Sequence, residues 1–241
     1  MPSSLPSLAS GKVVAALLAL SVFAPGAQAA AAATGASGIQ VVGSGHLNAN
    51  VVVRSAPHMN ARRVTVLREF RSHFRPQVIL ALAQRKDPDT GEPTWYRISV
   101  PGRPNGRTGW IQAEAATIKP VGKLIHIDLS ARTLQVWSGS RVVLKTKVAV
   151  GAPGMETPLG LFYVTWRFAP TSRALGRYAF ETSAYSRLSE WPGGGIVGIH
   201  GTFEPWLLGR AVSHGCVRVG NSAILRMRSL IGLGTPIRIV A

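Results

Sequence analysis

Short apolar runs broken by turn formers fill the chain from residue 39 onward. Residues 39–42, 51–54, 64–70, 78–82, 95–100 and 109–111 read as strands, with Ser55-Ala56-Pro57, 87–91 and 101–106 as turns. Strands this short with turns this frequent predict a small all-β barrel or sandwich over residues 39–120. From Gly122 the pattern changes. Residues 124–129 and 133–137 run apolar or alternate, Ser130-Ala131-Arg132 and Ser138-Gly139-Ser140 turn the chain, and 142–150 continues a β-meander. His126 falls inside one of these strands and reads as a packed or edge histidine. A turn-rich loop over 151–160 leads to a strand at 161–166, and 167–195 reads as an irregular loop that could serve as a lid or substrate wall. Asn221 is placed to cap a short helix whose buried face is Ala223, Met227, Leu230 and Ile231, followed by a last strand at 236–240. The expected fold class is mostly β, with one or two short helices in residues 121–241.

The beginning of the chain reads differently. Lys12 precedes an apolar run from Val13 to Ala24, and Ala27-Gln28-Ala29 has the small-x-small form of an export cleavage site, so residues 1–29 are expected to be a signal peptide. An uncleaved signal anchor is the alternative. Residues 30–38 are Ala, Gly, Ser and Thr without charge, the composition of a flexible linker. No later apolar stretch is long enough for a span, so no integral membrane segment is expected after cleavage.

Charge narrows the partners. There are 27 Lys and Arg against 10 Asp and Glu, a net +17 that becomes +16 once Lys12 leaves with the leader. Such a balance favours a polyanion. The arginines are dispersed and no nucleic-acid-binding motif occurs, so anionic cell-wall polymers are expected rather than nucleic acid. A merely basic soluble surface is the plainer reading.

Candidate chemistry concentrates in His200-Gly201-Thr202 and Ser213-His214-Gly215-Cys216-Val217-Arg218. Cys216 is the sole cysteine, so it makes no internal disulfide and is present for chemistry, packing or a partner. A thiol nucleophile needs a base and an oxyanion site. His200 supplies the first if the intervening chain loops back, and Gly215 leaves room for substrate to approach the sulfur. A buried inert cysteine is the rival. Zinc binding by His200, His214 and Cys216 offers only three ligands at unusual spacing, so no metal and no cofactor are expected. No Ser-x-x-Lys or Gly-x-Ser-x-Gly occurs, which argues against serine acyl enzymes.

His-Gly-Thr followed by Ser-His-Gly-Cys-Val-Arg resembles the signature of the bacterial L,D-transpeptidases of the YkuD type. Thr157-Pro158-Leu159-Gly160-Leu161-Phe162 resembles that family's Thr-Pro-x-Gly-x-Phe element, which extends the resemblance to residues 121–241. The resemblance implies a β-rich catalytic domain in which Cys216 is the nucleophile, His200 its base and Gly201 the carbonyl that orients the base. Ser213, His214, Gly215 and Arg218 are implied to contact substrate, with a structural role for His214 equally open. The implied reaction is peptidoglycan 3-3 cross-linking between donor and acceptor stem peptides, through a thioester that releases a terminal D-alanine. An L,D-carboxypeptidase or wall peptidase using the same pair, or a non-catalytic wall-binding protein, are the alternatives. Val51-Val52-Val53-Arg54-Ser55-Ala56-Pro57, Trp95-Tyr96-Arg97-Ile98 and Gly109-Trp110-Ile111 resemble a bacterial SH3-like module for residues 39–120. An exported, wall-associated enzyme is the expectation that joins these readings.

Overall fold

The computed structural model describes residues 1, 40–190 and 193–241. Apart from Met1, the expected leader and linker lie outside the described residues. Two sheets form.

The first contains β1 (Gly43–Leu47), β2 (Val51–Arg54), β3 (Arg63–Leu67), β4 (Val78–Lys86), β5 (Pro93–Ser99), β6 (Thr108–Gln112) and β7 (Ala116–Lys119). Their order is β3-β2-β6-β5-β4-β1-β7, every pairing antiparallel. Alternation explains the burial: Val51 and Val53 of β2 point inward with Ile98 and Ile111, while their neighbours face out. The expected strand at 39–42 is displaced. Val41 is only 4% exposed because it packs against Val78, Leu80 and Tyr163, so this apolar run plugs a second cluster and β1 begins after it. The long stretch after residue 69 is absorbed by a loop closed by a Phe70–Pro76 bridge and by the length of β4.

The second sheet contains β8 (Lys123–Asp128), β9 (Thr133–Ser138), β10 (Arg141–Gly151), β11 (Gly160–Phe168), β12 (Ala179–Tyr185), β13 (Ile196–Thr202), β14 (Ala211–Ser213), β15 (Val217–Gly220) and β16 (Pro236–Val240). Their order is β14-β10-β15-β13-β12-β11-β16-β8-β9, and β9 pairs again with β10, so the sheet curls into a barrel. Ile125, Ile127, Leu134 and Val136 alternate into its core. Residues 167–195, expected to be irregular, contain the whole of β12. Helix α1 (Asn221–Leu230) follows β15 directly and buries Ile224 and Met227. Asn221 does not cap it: Gly220 holds that position, and Asn221 Oδ1 accepts from the Arg177 backbone N–H at 2.9 Å. Among the described residues no helix is long and apolar enough to cross a membrane.

The two sheets share an interface. Tyr163, fully buried on β11, donates its hydroxyl to the Val78 carbonyl of β4 at 3.1 Å. Glu181 of β12 receives Arg71 and Arg75 from the first unit and Thr165 from β11, while Arg75 stacks on Trp166 at 4.7 Å. Some of the arginines that make the chain basic are thus engaged internally.

Candidate active site

β13 and β15 run parallel, with Ile199 opposite Val217 and His200 opposite Arg218. The ladder carries the two halves of the motif side by side, although the chain between them leaves the sheet through a 3-10 turn at Pro205–Leu207 and returns through β14. Gly198 and His200 lie two apart on β13 and so present the same face. The Gly198 N–H donates to Cys216 Sγ at 3.3 Å. A Cβ placed on Gly198 would stand 3.8 Å from that sulfur and 4.0 Å from His200 Cδ2. The thiol and the imidazole therefore border one space above Gly198, where no side chain intrudes.

His200 is 5% exposed, and its Nδ1 lies 2.7 Å from the Gly201 carbonyl. A neutral ring with the proton on Nδ1 donates to that carbonyl and leaves the Nε2 lone pair for proton transfer. Burial pushes the His200 pKa below the ordinary imidazole value, opposed by the Gly201 bond and assisted by the nearby Arg218 charge. Burial also pushes Cys216 upward, against the Gly198 N–H and the same arginine. Both shifts favour the neutral thiol and the neutral imidazole.

The turn before the sulfur is tightly held. Ser213 Oγ donates to the Cys216 carbonyl and accepts the Gly215 N–H at 3.2 Å. The Gly215 amide is thus engaged inside the turn. Gly215 has φ +111°, and a Cβ on it would lie 2.9 Å from Ser186 Cβ. The room left by its missing side chain is therefore filled by Ser186, not kept for substrate. Thr157, 2% exposed, accepts the Gly151 N–H and donates to the Gly215 carbonyl at 2.9 Å.

Arg218 reaches Glu204 at 2.9 Å, an ion pair with the carboxylate half exposed. The guanidinium implied to contact substrate already holds a carboxylate from its own chain. His214 lies half-buried in the turn between β14 and β15. Among the described residues no group of three His, Cys, Asp or Glu stands together to hold a metal.

Gly198, Ser186, Thr157 and Glu204 complete the site without having been assigned to it from sequence. Gly198 had a signal: a glycine inside a strand, two residues before a candidate base, marks a close approach.

Residues 122–239 match the profile of the L,D-transpeptidase catalytic domain, YkuD. The chain is 32% identical over 115 residues to a Bacillus licheniformis protein that carries the name L,D-transpeptidase YkuD, covering 48% of this chain and 64% of that one. Its counterpart from Bacillus subtilis is 31% identical over the same shares. The match thus spans less than two thirds of these curated relatives. A solved L,D-transpeptidase from Mycobacterium smegmatis aligns at 18% identity with a TM-score of 0.46, over 83% of this chain and 98% of its own. The second unit is thus similar in sequence to the L,D-transpeptidase catalytic domain of the YkuD type.

Proposed function

We propose that residues 121–241 catalyse L,D-transpeptidation of peptidoglycan stems through a Cys216 thioester, forming 3-3 cross-links. What carries this reading is that the sulfur and the Gly201-anchored imidazole both border the position a Gly198 side chain would take. The thiol attacks the carbonyl carbon of the third residue of a tetrapeptide stem, on its L-centre side, while His200 Nε2 takes the thiol proton. Collapse of the tetrahedral intermediate expels the amine of the terminal D-alanine, which takes the proton back from His200. The side-chain amine of a second stem then attacks the thioester. His200 takes its proton, and the departing sulfur recovers it.

Because burial favours the neutral pair, proton removal accompanies attack rather than preceding it. The Cys216 N–H is assigned to the developing oxyanion, since the Gly215 N–H is engaged by Ser213. Arg218 takes a substrate carboxylate by exchange with Glu204. Residues 39–120 are read as an SH3-like module on the wall side of an exported protein, and 1–29 and 30–38 as its leader and linker.

Intact mass spectrometry tests the nucleophile. A carbapenem should add one adduct to the protein and none to Cys216→Ser, and an adduct persisting in the variant removes Cys216 from this role. Purified tetrapeptide stems should yield cross-linked dimers and free D-alanine; release of tripeptide alone assigns the same site to a carboxypeptidase.

A further inference from the structure

The segment that presses on Gly215 is held from the other unit. Asn105, in the turn between β5 and β6, closes a two-way clamp on the end of β12: its Nδ2 donates to the Tyr185 carbonyl at 2.8 Å, and its Oδ1 accepts the Tyr185 N–H at 3.0 Å. Arg103 donates through one terminal nitrogen to the Ser186 carbonyl and through the other to the Gly194 carbonyl at 2.9 Å. Its guanidinium also stacks on the Tyr185 ring at 5.1 Å. The Ser186 N–H in turn donates to the Gly195 carbonyl at 2.8 Å, which ties both edges of this wall together. Ser186 is 4% exposed and abuts Gly215. A continuous set of contacts therefore runs from Asn105 and Arg103 through Tyr185 and Ser186 to the residue before the sulfur.

The same side chains border an open cavity of about 400 Å³ in which Arg103 and Asn105 stand with Thr157, Ser186 and Arg187. Thr157 and Ser186 both also contact Gly215. A peptide that approached Cys216 from this side would pass between residues of both units. Glu156 lines the cavity beside Arg187, so the cavity presents charge of both signs to a peptide.

We infer that Arg103 and Asn105 are positioning residues of the active site: through them the first unit sets the groove wall beside Gly215. The inference deepens the proposed transpeptidase reading and rests on it for the identity of the peptide. Neither side chain touches the sulfur or the imidazole, so their effect falls on how substrate is seated rather than on the chemical step.

The test uses the full chain with Asn105→Ala, Arg103→Ala and the milder Asn105→Asp, which keeps the acceptor for Tyr185 N–H and loses the donor. With tetrapeptide stems, the alanine variants should raise KM about tenfold or more with kcat changed less than about threefold, and Asn105→Asp should fall between. Wild-type turnover with KM within twofold in all three variants overturns the inference. A second measurement does not need turnover. Labelling of Cys216 by a bulky maleimide should change about tenfold in the alanine variants while labelling by iodoacetamide changes less than twofold. If the wild type processes no stem peptide, the transpeptidase reading fails and the labelling ratio alone decides the positioning role. Unchanged ratios then overturn it.

Discussion

The Thr157 hydroxyl, on a residue only 2% exposed, donates to the Gly215 carbonyl from 2.9 Å. The same oxygen accepts the Gly151 N–H, so one side chain joins the end of β10 to the turn before the sulfur. Thr157→Val keeps the shape and removes both bonds, leaving a buried amide and a buried carbonyl unsatisfied. The cost should be about 1–3 kcal/mol in urea unfolding. A loss below roughly 0.5 kcal/mol would show that water replaces the hydroxyl.

Gly198→Ala separates space from stability. The added methyl meets only ordinary contacts, the nearest being the Phe180 carbonyl at 3.5 Å, so thermal unfolding should shift little. It occupies the space bordered by Sγ and the imidazole, and kcat/KM should fall at least about tenfold. Full activity in this variant would mean that the reacting carbonyl sits elsewhere.

The pH profile follows from the two shifts. His200 is depressed, so the acid limb of kcat/KM should have its midpoint below 6.5, the ordinary imidazole value. Cys216 is raised, so alkylation of the resting thiol should climb only above 9.0. Stability follows the same signs. The His200 contribution is present above 6.5 and is lost as pH falls toward its folded value. That of Cys216 is present below 9.0 and is lost as pH rises through its folded value. An alkylation midpoint near neutrality would establish a resting thiolate and overturn the coupled proton transfer.

Glu204→Gln should release Arg218. The pair is solvent-exposed on the Glu204 side, so stability should move by less than about 1 kcal/mol. If Arg218 binds a substrate carboxylate, KM for the donor stem should drop severalfold. A KM that does not move assigns Arg218 a purely structural role.

Glu181→Ala should loosen the two units. Arg71 and Arg75 lose their shared carboxylate at a site where Glu181 is 15% and the arginines 25% and 32% exposed. Partial solvent access lowers the penalty from that of a fully buried pair to roughly 1–3 kcal/mol. Chemical denaturation should read it. An unchanged midpoint would show that the Tyr163–Val78 contact and its apolar neighbours hold the interface alone.

Sequence patterning located the strands in which one face is buried, because Ile125, Ile127, Leu134 and Val136 alternate strictly. It missed β12, which is buried on both faces and contains Thr182 and Ser183. Those hydroxyls are tolerated inside because Thr182 donates to the Val197 carbonyl and Ser183 accepts the Tyr163 N–H. Such pairing leaves no apolar period to read. Within the candidate site, His200 and Cys216 stood out by residue type in two short motifs, whereas the parallel ladder that sets those motifs side by side had no signal in the spacing. Asn105 and Tyr185 meet from 80 positions apart, and the partner of a lone turn asparagine cannot be inferred from spacing. Asn221 illustrates the converse error: a residue with strong capping preference was recruited by Arg177 instead.

The parallel ladder of β13 and β15 sets His200 beside the segment that carries Cys216, independently of the excursion that joins them. That excursion is consequently a natural place for grafting. A new loop inserted at the exposed tip around Trp206 could confer a different acceptor preference while leaving the reacting pair in register.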